Sequence, residues 1–207
     1  MNADVSGPVA PEALRRDQRE RRERIVRTAL RSLANSDYDR VKMSEVARDS
    51  GVALATLYRY FTSKEHMFGA AFLTWQEGLR RKLDRATPPG VTEKDRLRDV
   101  FHRMIRAFQL QPQFYRVLMV LETASDPYVV DIYRSLDKVF TESVQLAFDE
   151  SNRTDEDHQA IISVLSAVLG GGLSGWIMGR VTIESVYDSI DSAIRLIYDF
   201  SPGGGRS

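Results

Sequence analysis

The sequence predicts an all-α protein of about nine helices, with a three-helix N-terminal domain and a larger helical C-terminal domain. Apolar residues recur at helical spacing along most of the 207 residues, as Ile25, Ala29 and Leu33 do. Segments that alternate between apolar and polar residues, which would indicate strands, are nearly absent from the sequence. The clearest break in composition, Thr87-Pro88-Pro89-Gly90, falls between two helical patterns and predicts a loop.

Capping residues and prolines give the order of the elements. Asn35-Ser36-Asp37 ends the first helix, and Ser63 is a good N-cap for the fourth. Asp126 and Thr154 are suited to cap later helices, and prolines precede or open two of them. The predicted helices span about residues 11–33, 44–49, 54–61, 64–85, 93–110, 113–124, 127–149, 154–180 and 182–200.

Charge is unevenly distributed, although the formal net charge is zero. Residues 11–66 hold 13 Lys and Arg against 9 Asp and Glu, whereas residues 91–207 hold 12 against 17. A basic N-terminal part suits contact with phosphates, and an acidic remainder would be repelled by a DNA duplex. Because the chain has no Cys, 3 scattered His and no apolar leader, we predict no metal, no cofactor and a cytoplasmic location.

The segment Val41–Met67 contains the most informative pattern. Two short helices are joined by a turn at Gly51, which allows the backbone conformation that a sharp turn needs. The inside of this small unit is expected to contain Val46, Ala47, Val52, Leu57 and Phe61.

The second short helix then presents polar and small side chains outward. Hydroxyl and guanidinium groups can reach phosphates and base edges, and small apolar groups can touch a thymine methyl. Lys64 begins the next helix, where backbone N–H groups also favour a phosphate. The candidate DNA-binding residues of this stretch are Leu54, Ala55, Thr56, Tyr58, Arg59, Tyr60 and Lys64.

Residues 25–67 resemble the TetR family of bacterial regulators. The resemblance rests on many positions at fixed spacing: Gly51-Val52-Ala53, Thr56-Leu57-Tyr58, Tyr60-Phe61 and Ser63-Lys64-Glu65. Within the family, the segments VKMSEVA, VALATLYRYFTSK, IRAFQLQPQF and AIRLI resemble actinobacterial repressors of steroid (cholesterol) catabolism.

The resemblance implies a repressor that leaves double-stranded operator DNA when it binds a hydrophobic small molecule, such as a steroid or acyl-CoA metabolite. It implies a disordered arm over 1–14, a helix-turn-helix DNA-binding domain over 15–66, a ligand-binding and dimerisation domain over 67–200, and a flexible tail over 201–207. Thr56 and Tyr60 would approach bases or phosphates, and Ser44, Tyr58 and Lys64 would contact the backbone. Lys42 replaces the capping Thr of many members, so either Ser44 or water caps that helix, or Lys42 contacts phosphate.

The arginine-rich segment over 14–27 has two interpretations. It is either a solvated helix face with i, i+4 pairs such as Glu20–Arg24, or an arm that contacts phosphate or the minor groove. Arg15 and Arg16 are the candidate arm residues.

The resemblance also places a ligand pocket among the middle helices and a homodimer interface on the last two. For each bulky apolar residue, ordinary core packing is the alternative to ligand contact. The candidate pocket residues are Trp75, Met104, Phe108, Met119, Tyr133, Leu136 and Trp176. The candidate interface residues are Leu165, Leu169, Gly171, Gly175, Gly179, Ile190 and Ile194.

Three other functions are alternatives to these expectations: a membrane span, an enzyme and an architectural DNA-binding protein. Residues 160–179 carry no charge, but their Gly and Ser content and the lack of a flanking basic cluster argue against a membrane span. We expect no enzyme, because Cys is absent, the His are scattered and G-x-S-x-G fails at Trp176. The remaining alternative is an architectural DNA-binding protein that senses no ligand.

Overall fold

The computed structural model describes residues 8, 10–86, 92–148 and 154–199, with the backbone alone over 82–86. Over these residues the chain forms nine α-helices and two short 3-10 helices (Pro11–Ala13 and Tyr38–Arg40) and no strand, which confirms the predicted all-α class. The α-helices are α1 (Arg16–Asn35), α2 (Met43–Asp49), α3 (Leu54–Tyr58), α4 (Lys64–Ala86), α5 (Glu93–Leu110), α6 (Pro112–Glu122), α7 (Pro127–Gln145), α8 (Asp155–Ile177) and α9 (Ile183–Asp199).

The first helix starts later than predicted. Pro11 opens a separate 3-10 turn, and the backbone of Leu14 and Arg15 is extended, with ψ of 138° and 160°. The side chain of Gln18 accepts a hydrogen bond from the Arg15 N–H at 3.0 Å, so this backbone group at the start of α1 has a partner. Pro11 therefore starts a helical turn that the chain does not continue.

The described residues fall into two compact units. Unit 1 comprises residues 1–77 and 116–136, and unit 2 comprises residues 78–115 and 137–207. Helices α4, α6 and α7 each run from one unit into the other. The boundaries between the two units therefore fall within helices rather than within loops.

Unit 1 joins the first three helices to parts of α4 and α7. Its fully buried side chains include Ile25, Leu33 and Phe68. A Cβ at Gly69 would lie 3.0 Å from Ile132 Cγ2, so α4 and α7 approach closely at this glycine. The α6–α7 segment thus belongs to the same packed body as the helix-turn-helix.

In unit 2, α5, α8 and α9 pack together. The ion pairs Lys94–Asp199 and Arg98–Asp191, at 2.6 and 3.0 Å, link α5 to α9. Thr154 caps α8 as expected, since its hydroxyl accepts from the Asp157 N–H at 3.2 Å. The core between these helices contains Leu97, Phe101, Ile105, Leu165, Leu173, Val186, Ile190 and Ile194.

Helix α8 is long and apolar enough, by length and composition, to cross a membrane. Its mean hydropathy is 1.8 and only 28% of the apolar window is buried, so most of its surface is uncovered within the protomer. One such helix indicates little about a membrane, because the core helix of a soluble protein passes the same test. Its exposed residues include Ala160, Val164, Ala167 and Gly171.

Candidate DNA-binding site and sensor residues

The turn between α2 and α3 is closed by backbone hydrogen bonds. Gly51 has φ of +69°, a left-handed conformation that favours glycine. The Val52 N–H donates to the Ala47 carbonyl at 3.0 Å, and the Ser50 hydroxyl donates to the same carbonyl at 3.1 Å. From α1, Arg24 Nε donates to the Ser50 carbonyl at 2.9 Å. Arg24, expected from the sequence as a partner of Glu20, therefore fixes the turn to α1.

The predicted inside of the helix-turn-helix is largely confirmed. Val46, Leu57 and Phe61 are fully buried, and Ala47 is nearly so. Val52 is half-buried. Because Leu57 points into the unit, the opposite side of α3 must face outward.

The outward side of α3 carries four of the eleven predicted DNA-binding residues. Leu54 and Tyr58 are 40% and 49% exposed. Ala55 and Arg59 are exposed, and Thr56 is half-buried. We call the exposed residues Leu54, Ala55, Tyr58 and Arg59 the α3 face.

Tyr60 is placed differently from the α3 face. Helix α3 ends at Tyr58, three residues earlier than predicted, and the chain turns toward α4. The Tyr60 side chain is only 8% exposed, and its N–H donates to the Leu57 carbonyl. The structure therefore brings Tyr60 into the interior of unit 1 rather than onto the outward side of α3.

Lys42 and Ser44 lie together at the start of α2. Both side chains are exposed, at the helix end where the backbone dipole favours a negative group. The Lys42 N–H donates to Glu45 Oε2 at 3.4 Å. The Glu45 side chain therefore satisfies the backbone N–H of Lys42, and no side-chain cap from Lys42 reaches the first turn of α2.

Lys64 is held against Tyr38 at the start of α4. Its Nζ donates to the Tyr38 carbonyl at 2.5 Å and lies 4.1 Å from the centroid of the Tyr38 ring. The Tyr38 hydroxyl donates to Glu65 Oε1 at 2.8 Å. Burial lowers the pKa of Lys64, against the opposing effect of Asp39 and Glu65. Sequence reasoning missed Tyr38, which lies 26 residues away with no signal that links it to Lys64.

The arginine-rich segment divides into several roles. Arg15 and Arg16 are exposed, and Arg16 forms an i, i+4 pair with Glu20 at 3.0 Å. Arg22 instead lies 5.1 Å from the centroid of the Phe61 ring. One part of the segment is therefore a solvated helix face, and another part packs onto the helix-turn-helix.

A polar link joins the end of the helix-turn-helix to the start of α7, within unit 1. The Thr62 hydroxyl donates to Asp126 Oδ2 at 2.7 Å, while Asp126 Oδ1 accepts from the Tyr128 N–H at 2.9 Å. Asp126 therefore caps α7, as the sequence predicts, and also binds Thr62. We call this arrangement the Thr62–Asp126 link.

His66 reinforces the same junction. Its ring stacks on Tyr128, with centroids 5.4 Å apart and planes 4° from parallel, and Nδ1 accepts from the Thr62 N–H at 3.2 Å. Burial, with a smaller contribution from Arg22, lowers the pKa of His66 to about 4 against the opposing effect of Asp126. The imidazole is thus neutral at pH 7 and acts as an acceptor.

The candidate pocket residues are divided between the units. Trp75, Met119 and Tyr133 in unit 1 are half-buried, and Leu136 is 3% exposed. In unit 2, Met104 and Phe108 are buried, and Trp176 is half-buried. Trp75 stacks on Phe72 with centroids 5.3 Å apart. Within the described residues, no group of three or more His, Asp or Glu could bind a metal ion.

The candidate interface residues do not share one surface. Leu165, Leu169, Ile190 and Ile194 are at most 5% exposed and pack inside unit 2. Leu165 and Leu169 lie on the side of α8 that packs into the protomer's own core with Ile190 and Ile194 of α9, and another side of α8 remains exposed. Gly171 and Gly179 are exposed, and a Cβ at Gly175 would lie 3.1 Å from Val181 Cγ2.

Both the N-terminal and the C-terminal parts of the chain match known proteins. Residues 25–71 match the family model for bacterial regulatory proteins of the tetR family, and residues 90–197 match that for the tetracyclin repressor-like C-terminal domain. The chain is 32% identical over 184 residues to the HTH-type transcriptional repressor KstR of Mycolicibacterium smegmatis, covering 87% of this chain and 88% of that protein.

Two solved structures share the fold. A TetR transcriptional regulator from Rhodococcus sp. RHA1 superposes with a TM-score of 0.76 at 26% identity, over 88% of this chain and 97% of that one. Thermus thermophilus FadR in complex with lauroyl-CoA gives a TM-score of 0.68 at 17% identity, over 89% and 100%. From the two family models and the repressor relative together, the chain belongs to the TetR family of bacterial transcriptional regulators.

Proposed function

We propose that this protein is a transcriptional repressor that binds double-stranded operator DNA and is released by a hydrophobic small molecule. The α3 face carries the DNA-binding part of the proposal. A five-residue helix that leaves Leu54, Tyr58 and Arg59 exposed, beside a fixed turn, presents groups that suit a major groove. The relatives named above are regulators and repressors, which agrees with a binding protein rather than an enzyme.

Each part of the surface has a proposed role in DNA contact. Tyr58 and Arg59 would bind phosphate or guanine edges, and Leu54 and Ala55 would touch thymine methyl groups. Thr56 would contribute from the edge of the face, and Tyr60 would support the α3–α4 turn from inside. The phosphate contacts would come from Lys42 and Ser44 at α2, Lys64 at α4, and Arg15 and Arg16 in the arm.

A second copy of the chain is the proposed partner of α8. Operators read by helix-turn-helix proteins have two half-sites, which a two-fold dimer matches. The exposed side of α8, with Ala160, Val164, Ala167 and Gly171, is apolar and small enough for close helix approach. Gly175, Gly179 and, on α9, the 59% exposed Leu196 would extend it, with Leu165, Leu169, Ile190 and Ile194 supporting it from the core. Such a dimer would bury the exposed apolar side of α8 in a protein interface. The helix would then need no membrane, in agreement with the proposed cytoplasmic location.

The ligand is proposed to be hydrophobic, of the steroid or acyl-CoA type. FadR of Thermus thermophilus has the same fold and was solved with lauroyl-CoA, and the repressor KstR is related along most of the chain. Met and aromatic side chains such as Trp75, Met104 and Met119 suit an apolar, adaptable site. Phe108, Tyr133, Leu136 and Trp176 complete the proposed set.

Release from DNA is proposed to be a shift between two conformations. Operator affinity would fall by the coupling free energy, typically about 1–3 kcal/mol. Helix α4 runs from unit 1 into unit 2, and its start is tied to α7 by the Thr62–Asp126 link and the His66–Tyr128 stack. A ligand that displaced α7 would therefore displace the α3–α4 turn.

Fluorescence anisotropy with DNA from upstream of this protein's own gene tests the proposal. Unrelated DNA of equal length is the control for sequence specificity. We expect Arg59→Ala to weaken binding by about 1–3 kcal/mol, which is roughly 5- to 150-fold. Arg106→Ala, which removes an exposed arginine of unit 2, should leave the affinity unchanged.

The architectural alternative makes the opposite prediction in the same assay. Equal, weak and salt-sensitive binding to both DNAs would favour it over a repressor. Lauroyl-CoA, added to the complex at saturating concentration, separates the sensor model further. Release of the upstream DNA supports a ligand-responsive repressor of the acyl-CoA class, whereas unchanged binding would exclude that ligand class.

A further inference from the structure

One amide oxygen in the middle of α4 lacks a partner. The Gln76 Nε2 group donates to the Leu136 carbonyl on α7 at 2.9 Å. Its Oε1 atom is buried and has no hydrogen-bond partner. Buried polar atoms in folded proteins are nearly always satisfied, so an unsatisfied acceptor calls for a physical reason.

The orientation of this amide is determined by its neighbour. A backbone carbonyl can only accept, so the NH₂ group of Gln76 must face Leu136. Rotating the amide by half a turn would bring two oxygens together and break the bond. The group left without a partner is therefore an acceptor, and it can be satisfied only by an O–H or N–H donor.

The residue next to Gln76 in the chain and its hydrogen-bond partner are both apolar. Its neighbour in sequence, Trp75, stacks on Phe72, and its hydrogen-bond partner Leu136 is 3% exposed. Trp75 and Leu136 are both in the proposed pocket, whereas Gln76 is not among the residues selected from the sequence. An acceptor in apolar surroundings is the arrangement by which pockets orient a mainly hydrophobic ligand.

We propose that Gln76 is the polar anchor of the ligand pocket and selects hydrophobic ligands that carry an O–H or N–H donor. This inference rests on the proposed ligand-responsive function. A donor on the ligand would satisfy Oε1 while the apolar body packs near Trp75 and Leu136. A ligand whose oxygen only accepts, such as an ether or a ketone, would leave Oε1 unsatisfied and bind more weakly.

Two isomers of one formula test this preference. Decan-1-ol has a hydroxyl donor, and 1-methoxynonane has the same atoms with an ether oxygen that only accepts. Binding is measured by calorimetric titration on the full chain. We expect the wild type to bind the alcohol roughly five- to tenfold more tightly than the ether, as one added hydrogen bond predicts.

Matched variants assign the preference to Gln76. Gln76→Met should bind the two isomers equally, since it has no acceptor that the hydroxyl could satisfy. Gln76→Glu should keep the preference at a pH below the ordinary pKa of glutamic acid, because its protonated carboxyl can then donate to Leu136 and still present an acceptor. Gln145→Met, at an exposed position of α7, should behave as the wild type.

Ligand binding tests this inference, and operator binding tests the proposed function, so the two can fail separately. The proposal is overturned if the isomers bind the wild type alike, including no binding of either, or if Gln76→Met retains the preference. The latter would mean that water satisfies Oε1 and another group selects the hydroxyl. The affinity of the ligand-free protein for operator DNA is measured on the same preparations. If the wild type does not bind operator DNA, the proposed repressor function itself is refuted.

Discussion

At the scale of single residues, Gly51 shows how one backbone angle sets the position of α3. Its φ of +69° is unfavourable for any residue with a Cβ, although a Cβ there would meet nothing within 4 Å. We predict that Gly51→Ala lowers the free energy of unfolding by about 1–2 kcal/mol through backbone strain alone. Urea denaturation measures this change.

Gly78 supplies the matched control for that prediction. It lies inside α4, has helical backbone geometry and is also open to an added Cβ. Gly78→Ala should therefore stabilise the protein by about 0.5–1 kcal/mol, since alanine restricts the unfolded chain and favours a helix. Effects of the same sign in both variants would contradict the explanation by backbone strain.

His66 makes stability depend on pH at the junction of α4 and α7. Its pKa is about 4 in the folded protein, below the 6.5 of an unperturbed imidazole, because burial disfavours the charged form. The unfolded chain therefore binds a proton first as pH falls. The stability that neutral His66 contributes is fully present above pH 6.5 and is lost between pH 6.5 and 4. Over this range the free energy of unfolding falls by up to about 1.4 kcal/mol per pH unit.

Urea unfolding at pH 7.5, 6.0 and 5.0 measures the pH dependence. In His66→Gln the amide oxygen can still accept from the Thr62 N–H, but nothing titrates at this position. The fall in stability between pH 7.5 and 5.0 should be smaller in this variant than in the wild type. Parallel curves for the two proteins would assign the acid sensitivity to other groups.

At the scale of elements, the Thr62–Asp126 link connects the helix-turn-helix to α7. Thr62→Val preserves the shape of the side chain and removes the hydroxyl that donates to Asp126. We expect a stability loss of about 1 kcal/mol or more and a reduced effect of ligand on operator affinity, because in the proposed mechanism this link would transmit a displacement of α7. Anisotropy titrations with and without lauroyl-CoA measure the second effect.

Thr74→Val is the control for this element. Its hydroxyl donates to the Ala70 carbonyl within α4, so its loss removes a hydrogen bond that joins no second element. This variant should keep the full response to ligand. If Thr62→Val also keeps the full response, the signal passes through another contact.

Helix ends could be predicted from the sequence wherever a local cap determines them. Helix α5 spans the predicted residues 93–110 because Thr92 caps it and its apolar side is clear. The ends of α1 and α3 differ because the backbone turns there for tertiary reasons. Tyr60 was expected on the outward side only because α3 was expected to reach residue 61.

Contacts between distant residues could not be predicted in this way. Nothing in the sequence pairs Lys64 with Tyr38 or Thr62 with Asp126, since each pair joins segments that lie far apart. Helical spacing identifies apolar residues but does not say which side of an all-apolar helix faces the protomer's own core. That choice separates Leu165 from Ala167 on α8, and it required the packing of α5 and α9.

At the scale of the whole molecule, the exposed side of α8 is the proposed dimer interface. Val164 is 50% exposed, and Ala167 is exposed one helical turn away. We predict that Ala167→Arg converts a dimer to a monomer, because two-fold symmetry places the new charge twice in one interface. Sedimentation velocity measures the mass, and operator affinity should fall with it.

Gln145→Arg adds the same charge at an exposed position of α7 and should leave the dimer intact. If the Ala167→Arg protein sediments like the wild type, this side of α8 does not form the interface. Retained operator affinity in a monomeric variant would contradict the expected two-fold match to DNA.

The inclusion of residues 116–136 in unit 1 limits how this regulator can be recombined with others. A chimera that transplants only the first 66 residues onto a foreign sensor would leave behind Asp126 and Tyr128. His66 would lose the ring stacked on it, and Thr62 would lose its acceptor. A modular exchange of promoter specificity would therefore have to carry the α6–α7 segment along with the helix-turn-helix, or supply a substitute for it.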